Sequence, residues 1–301
     1  MTRVRDGLDG LLAYVRPTFM LPAVGISVVG AALAPVSEFA WSVAALHAGT
    51  VGLALFVAHL RDGYVDGHRR GEETPRLSVA GFRRGIWAGS VGVIALSGLL
   101  ATVSGIIAAL STIVLLALAL VHAPYLDRHP ITVTVDYPVG IGVALVGGHA
   151  AQTGEIGFAA AVAALFVALL AGIKVGIDRL DEAFDRSIGK RTLPVALGSR
   201  AANRVAAGLF LATALGTAGL GVGGAADLLP VRPALAVSAA VVPVGCVLAT
   251  ALFPPERAVR LQMGLTYVFT ALLFLSACDP QCAGVAFGEG ALEALRSGIA
   301  V

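Results

Sequence analysis

Two acidic clusters carry the chemistry this chain can offer. The first reads Arg61-Asp62-Gly63-Tyr64-Val65-Asp66-Gly67-His68-Arg69-Arg70. The second reads Asp178-Arg179-Leu180-Asp181-Glu182-Ala183-Phe184-Asp185. Asp62 and Asp66 stand four apart, and Asp178, Asp181 and Asp185 stand at i, i+3 and i+7, so on a continuous helix each set lines one face. Lys174, one turn before Asp178, shares the second face. Like charges at this spacing repel on an exposed helix, and more strongly where they are partly buried. A divalent cation removes the repulsion. Magnesium takes one or two carboxylates and completes its shell with water and phosphate oxygens. Paired aspartates flanked by Arg and Lys are therefore suited to a magnesium-bound diphosphate, with Asp62, Asp66, Asp178, Asp181 and Asp185 as candidate metal ligands. Solvated charges at helix ends are the competing reading; they account well for one such pair and poorly for two.

Membrane-length helices must position these residues. The chain has 301 residues, 57% of them hydrophobic and 13% charged, where a soluble domain carries about 25% charged residues. Uncharged stretches run over 19–37, 87–122 and 156–172. A helix crossing the hydrocarbon core needs about 20 apolar residues, so 87–122 divides into two, hinged near Ser104-Gly105. A soluble bundle helix would show a polar face every three to four residues, and these runs lack one. The predicted spans are 18–36, 40–60, 86–103, 105–123, 132–150, 157–177, 201–221, 233–253 and 261–278.

Charge placement orients these spans. All but Arg232 and Arg296 of the 21 lysines and arginines fall on one side, which the positive-inside rule makes cytoplasmic. The N-terminus is then inside and the C-terminus outside, as an odd number of crossings requires. The apolar run after Arg16 is of spanning length, and no A-x-A-like site follows a short core, which speaks against a cleaved signal peptide. The three cysteines form neither a disulfide framework nor a zinc spacing, and Cys278 and Cys282 follow the last span. Two cytoplasmic loops, 61–85 and 178–200, are long and charged on a scaffold of short turns, the natural place for function. The expected fold class is all-α: a polytopic nine-transmembrane-helix bundle with a cytoplasmic-side polar cavity, forming one membrane-embedded domain over 1–301.

The pair of clusters resembles that of the UbiA-type intramembrane prenyltransferases. Members of that family have nine helices, with N-x-x-x-D-x-x-x-D after the second and D-x-x-x-D after the sixth. Asp62 and Asp66 match the aspartates of the first motif, and Asp181 and Asp185 match the second. The run Gly189-Lys190-Arg191-Thr192-Leu193-Pro194-Val195-Ala196-Leu197-Gly198 looks like the family's G-K-x-T-L-P-V-x-L-G segment, and Arg16-Pro17 resembles its opening. The similarity covers the whole chain in topology. One position departs: the family's Asn would fall on Ala58, which has no side-chain carbonyl to offer a metal. His59 beside it lies about 100° round the helix.

The resemblance implies transfer of a prenyl group from an allylic polyprenyl diphosphate to a lipid-soluble acceptor within the membrane, dependent on Mg2+ and belonging to isoprenoid biosynthesis. It makes Asp62, Asp66, Asp181 and Asp185 catalytic. Lys190 and Arg191 are the first choices for contacts to the diphosphate, with Arg69, Arg70, Arg128 and Lys174 behind them. Metal and basic side chains would stabilise the leaving diphosphate, and the allylic cation must be shielded from water. Tyr64, Tyr125 and Tyr137 are candidates to stabilise it through their ring faces, against the alternative of interfacial anchors. Asp178 binds metal or pairs with Lys174. His68 and His122 read as structural. The partners implied are the diphosphate donor, a hydrophobic acceptor and membrane lipid, with no nucleic acid. Three alternatives stay open. A secondary transporter with a carboxylate-lined cation site would place its carboxylates near the midplane. A CDP-alcohol phosphotransferase would pack its aspartates into one short segment. A carotenoid-modifying, elongase-like family member is the third.

Overall fold

A computed structural model describes residues 9–35 and 39–277. Every regular element among them is helical. In chain order these are α1 Pro17–Ala32, α2 Trp41–Tyr64, α3 Val79–Val103, α4 Ile106–Tyr125, α5 Pro130–Thr153 and α6 Ala159–Leu180. Two short helices follow, α7 Glu182–Ser187 and α8 Leu193–Leu197, and then α9 Ser199–Ala225, α10 Pro233–Leu252 and α11 Pro255–Ala277. Among the described residues, 8 helices are long and apolar enough to cross a membrane. Helix α1, at 16 residues, falls short of that length and ends before the expected 36. The chain turns at Leu33-Ala34 ahead of Pro35, a residue that disfavours helix in the position before it.

The helices fall into two compact units. In the first, which takes the chain to Ala31 and then Ala40–Ala160, α2 packs on α3, α4 and α5, and α4 packs on α3 and α5. Helix α1 meets α5 through bare backbone. A Cβ on Gly30 would lie 2.0 Å from the Leu145 carbonyl oxygen, and one on Gly148 would lie 2.0 Å from that of Ser27. Small residues permit such approaches between membrane helices. Close by, His47 is fully buried and satisfied on both ring nitrogens, Nδ1 with Ser27 Oγ (2.8 Å) and Nε2 with Ser111 Oγ (3.0 Å). A polar group among apolar helices requires such partners.

In the second unit α9 packs on α10 and α10 on α11. Helix α6 joins them through Phe166, edge-on to Phe269 of α11, and through Gly172, against the Phe210 ring of α9. The buried Gln262 of α11 donates its amide to the Cys246 carbonyl (3.1 Å) and to Thr250 Oγ1 (2.8 Å) on α10. Cys278 and Cys282 lie outside the described residues.

Candidate functional site

The first cluster is built where α2 ends. Past Tyr64 the helix widens into a π-helical turn over Val65–Arg70, closed by Gly71 at φ 69°. The amide N–H groups of Gly71 and Glu72 both donate to the Asp66 carbonyl. Asp62 therefore sits on the last α-helical turn and Asp66 in a wider one, a feature frequent at functional sites. Gly63 lies between them with no side chain because the buried Tyr14 ring occupies that space. A Cβ there would come within 2.1 Å of the ring. The Tyr14 hydroxyl accepts the Arg76 amide N–H at 3.2 Å, tying the following loop back to the helix.

Neighbouring helices complete the cluster. Asp62 Oδ1 is buried, has no hydrogen-bond partner, and lies 3.7 Å from His122 Nε2 on α4. On its other side His122 bonds through Nδ1 to Asp136 Oδ2 of α5. Asp136 is buried, and its second oxygen accepts the Tyr137 N–H at 2.6 Å. Arg61 Nε donates to the Ala123 carbonyl at 3.0 Å. Arg70 reaches three carboxylates: Asp127 at 2.5 Å, Asp66 at 3.4 Å and Glu72 at 3.8 Å. Arg69 lies over the Tyr64 ring, 5.5 Å from its centroid. Asp127, Asp136 and the engaged His122 were not among the expected site residues. Asp136 did carry a signal, since an ionisable group inside an apolar span is itself a functional candidate.

The second cluster is also an end-of-helix structure, and it corrects the expectation of one continuous face. Helix α6 stops at Leu180, and Asp181 has φ −98° and ψ 4°. Its carbonyl accepts the Asp185 N–H at 2.8 Å and so starts α7. Aspartate is favoured where a helix begins, and here it divides the acidic run between two helices. Asp178 is buried on the last turn of α6. Lys174 Nζ bonds its Oδ1, while Oδ2 is buried with no partner. Asp185 is 4% exposed. Lys190 Nζ lies 3.9 Å from its Oδ1, and the Lys190 N–H donates to the Asp185 carbonyl at 2.9 Å. Burial pushes the Asp185 carboxyl above the usual carboxylate range, against the pull of Lys190. Glu182 is held below its usual range by hydrogen bonds from Ser199 Oγ (2.5 Å) and Arg186 Nη2 (2.9 Å). Asp181, Arg191 and Arg128 are exposed.

Among the described residues, no group of three or more His, Cys, Asp or Glu side chains is arranged to hold a metal ion alone. Each cluster instead offers buried carboxylate oxygens with no hydrogen-bond partner: Asp62 Oδ1 and Asp127 Oδ1 in the first, Asp178 Oδ2 and Asp185 Oδ2 in the second. Such a donor set fits magnesium where phosphates and water fill the remaining positions.

No family model matches the chain, and no curated protein matches it in sequence. Solved structures do match in fold. Digeranylgeranylglyceryl phosphate synthase in membranes superposes with a TM-score of 0.72 at 13% identity, covering 90% of this chain and 99% of the other. The apo structure of a UbiA homologue from Aeropyrum pernix K1 superposes at 0.68 with 20% identity, covering 87% and 98%. A UbiA homologue from Archaeoglobus fulgidus bound to DMAPP and Mg2+ superposes at 0.64 with 15% identity, covering 88% and 97%. At these identities the likeness is one of fold. The chain is an all-α polytopic membrane protein with the fold of the UbiA homologues.

Proposed function

We propose that this chain is a UbiA-type intramembrane prenyltransferase, moving a prenyl group from an allylic polyprenyl diphosphate to a lipid-soluble acceptor with Mg2+. One observation carries the reading. Each acidic cluster ends a membrane-length helix and keeps buried carboxylate oxygens without a hydrogen-bond partner. A buried, unsatisfied acceptor costs about 1–3 kcal/mol. Such oxygens are accounted for if each serves a ligand. The fold, and the DMAPP and Mg2+ bound by the Archaeoglobus fulgidus homologue, support the choice of ligand.

Asp62 and Asp66 in the first cluster, and Asp181 and Asp185 in the second, would hold metal, with Asp178 offering its unpartnered oxygen. When bound, magnesium neutralises the diphosphate and stabilises the charge that develops on it as it leaves. Lys190 and Arg191 meet diphosphate oxygens, with Arg69 and Arg128 as further exposed cations. Arg70 and Lys174 serve the site by holding the carboxylates they already engage. The allylic C1–O bond breaks with its electron pair passing to the diphosphate. The acceptor's nucleophilic atom bonds to C1, and its proton passes to the released diphosphate. Apolar helices exclude water from the cationic carbon, and Tyr64, Tyr125 and Tyr137 offer ring faces to it.

In this reading residues 1–301 work as one membrane-embedded domain. Helix α1 is the ninth crossing, the polar cavity opens to the cytoplasm, the N-terminus is inside and the C-terminus outside. The test is to incubate purified protein with Mg2+, labelled prenyl diphosphates of graded length and candidate acceptors. Labelled product that requires Mg2+ and is abolished by Asp66→Ala or Asp181→Ala supports the reading. Failure of every donor with active-site residues intact, or activity that survives both substitutions, overturns it.

A further inference from the structure

Arg83 and Arg84, on the second turn of α3, are the last charged side chains before the uncharged stretch 87–122. Both are exposed, and among the described residues neither has an ion-pair partner. Arg16 and Arg70, by contrast, are engaged by carboxylates. The pair also faces away from the acidic clusters. Gly85 and Gly89 mark the side of α3 turned toward α2: a Cβ on Gly85 would lie 3.0 Å from the Leu60 side chain, and one on Gly89 would lie 2.6 Å from that of Val57. Arg83 and Trp87 each stand two residues before one of these glycines, about 200° round the helix. On that outer side Ala80, Arg83, Arg84 and Trp87 line a hollow of about 440 Å³.

The spacing i, i+3, i+4 and i+7 stacks these four side chains on one face. Ala80 is small and leaves the space beside the guanidinium groups open. Trp87 is 73% exposed, and the exposed Val91 and Ile94 continue its face one and two turns on. Cation, amphipathic ring and apolar track thus follow one another along α3, in the order of headgroup, ester region and acyl chain in a phospholipid. Guanidinium groups hold phosphate oxygens through paired N–H donors, and tryptophan belongs where acyl chains give way to headgroups. We propose that this hollow binds the headgroup of an anionic membrane phospholipid. Its phosphate lies on Arg83 and Arg84, its glycerol esters beside Trp87, and one acyl chain along Val91 and Ile94. The first turn of α3 carries no acidic residue to oppose the charge. A zwitterionic headgroup brings a cation back to the two arginines and forfeits much of the attraction, so the site selects net negative charge. It is separate from the proposed diphosphate contacts and does not depend on the prenyltransferase reading.

Trp87 supplies the readout. The chain has two tryptophans, so Trp41→Phe leaves Trp87 as the only indole. The whole protein is placed in phosphatidylcholine bilayers containing an equal small fraction of chain-brominated phosphatidylglycerol or chain-brominated phosphatidylcholine, and quenching of Trp87 fluorescence is measured. The expected result is preferential quenching by the anionic lipid, an enrichment of about fivefold per arginine at low ionic strength that falls as salt is added. Arg83→Gln combined with Arg84→Gln should bring quenching by the two lipids level. Trp87→Phe leaves Trp41, at the opposite end of α2 from Asp62, and should show no such preference. Should Trp41→Phe not fold, native mass spectrometry of the unaltered protein and the double arginine variant, counting retained phosphatidylglycerol, makes the same comparison. Equal quenching of Trp87 by both lipids, a preference that survives the double substitution, or an equal preference at Trp41 overturns the proposal. Loss of the preference on adding inorganic phosphate at constant ionic strength assigns the hollow to free phosphate and also overturns it.

Discussion

Arg70 Nη2 lies 2.5 Å from Asp127 Oδ2, joining the π-helical turn that ends α2 to the turn that follows α4. The same guanidinium reaches Asp66 at 3.4 Å, so the position of a proposed metal ligand depends on a residue 57 positions away from Arg70 in sequence. Asp127→Asn should loosen this clamp. Asp127 is nearly buried while Arg70 is 27% exposed, so the cost belongs in the range of hydrogen bonds to charged groups, about 1.5–3 kcal/mol. Thermal unfolding in detergent should show a lowered midpoint, and magnesium–diphosphate affinity should fall with it. An unchanged midpoint and affinity would show that Arg70 needs no anchor.

Gly63 should not tolerate a methyl group. A Cβ there meets the Tyr14 ring at 2.1 Å, and Tyr14 is held in turn by the Arg76 amide. Overpacking of this kind costs about 1–3 kcal/mol. Gly63→Ala should lower thermal stability, and Gly63→Ala combined with Tyr14→Leu should recover part of the loss. Equal losses in the single and double variants would mean the ring is not the obstacle.

Lys174→Met should destabilise the protein more than Lys174→Met combined with Asp178→Leu. The single change leaves the Asp178 charge buried without its partner. Breaking a buried pair costs about 3–5 kcal/mol, and the 24% exposure of Lys174 places this case below that. Denaturation midpoints of the two variants in the same detergent decide it. A double variant less stable than the single one would contradict the pairing.

Much of the scaffold was legible because hydrophobic length is a strong signal. The division of 87–122 was placed at Ser104-Gly105, and the structure turns there, with Gly105 at φ 94° starting α4. The Lys174–Asp178 contact follows from i, i+4 spacing alone. The π-helical turn at Asp66 was not legible, since one extra residue in a turn leaves the apolar pattern of α2 unchanged. The break at Asp181 was hidden because i, i+3, i+7 spacing describes a helix equally well whether or not the chain interrupts it. Arg70–Asp127 and His122–Asp136 join residues from different elements, and periodicity within one segment says nothing about such partners. Arg70 is one such case: its position in the basic run says nothing of the three carboxylates it reaches.

The account stands on the carboxylates of each acidic cluster being needed for magnesium and diphosphate. Titration of magnesium and diphosphate into the protein by calorimetry, compared with Asp66→Ala and Asp181→Ala, tests this most directly. The expected result is loss of at least about tenfold in affinity for each variant, since each removes a charged contact. Undiminished affinity in either variant, with the protein folded, would contradict it.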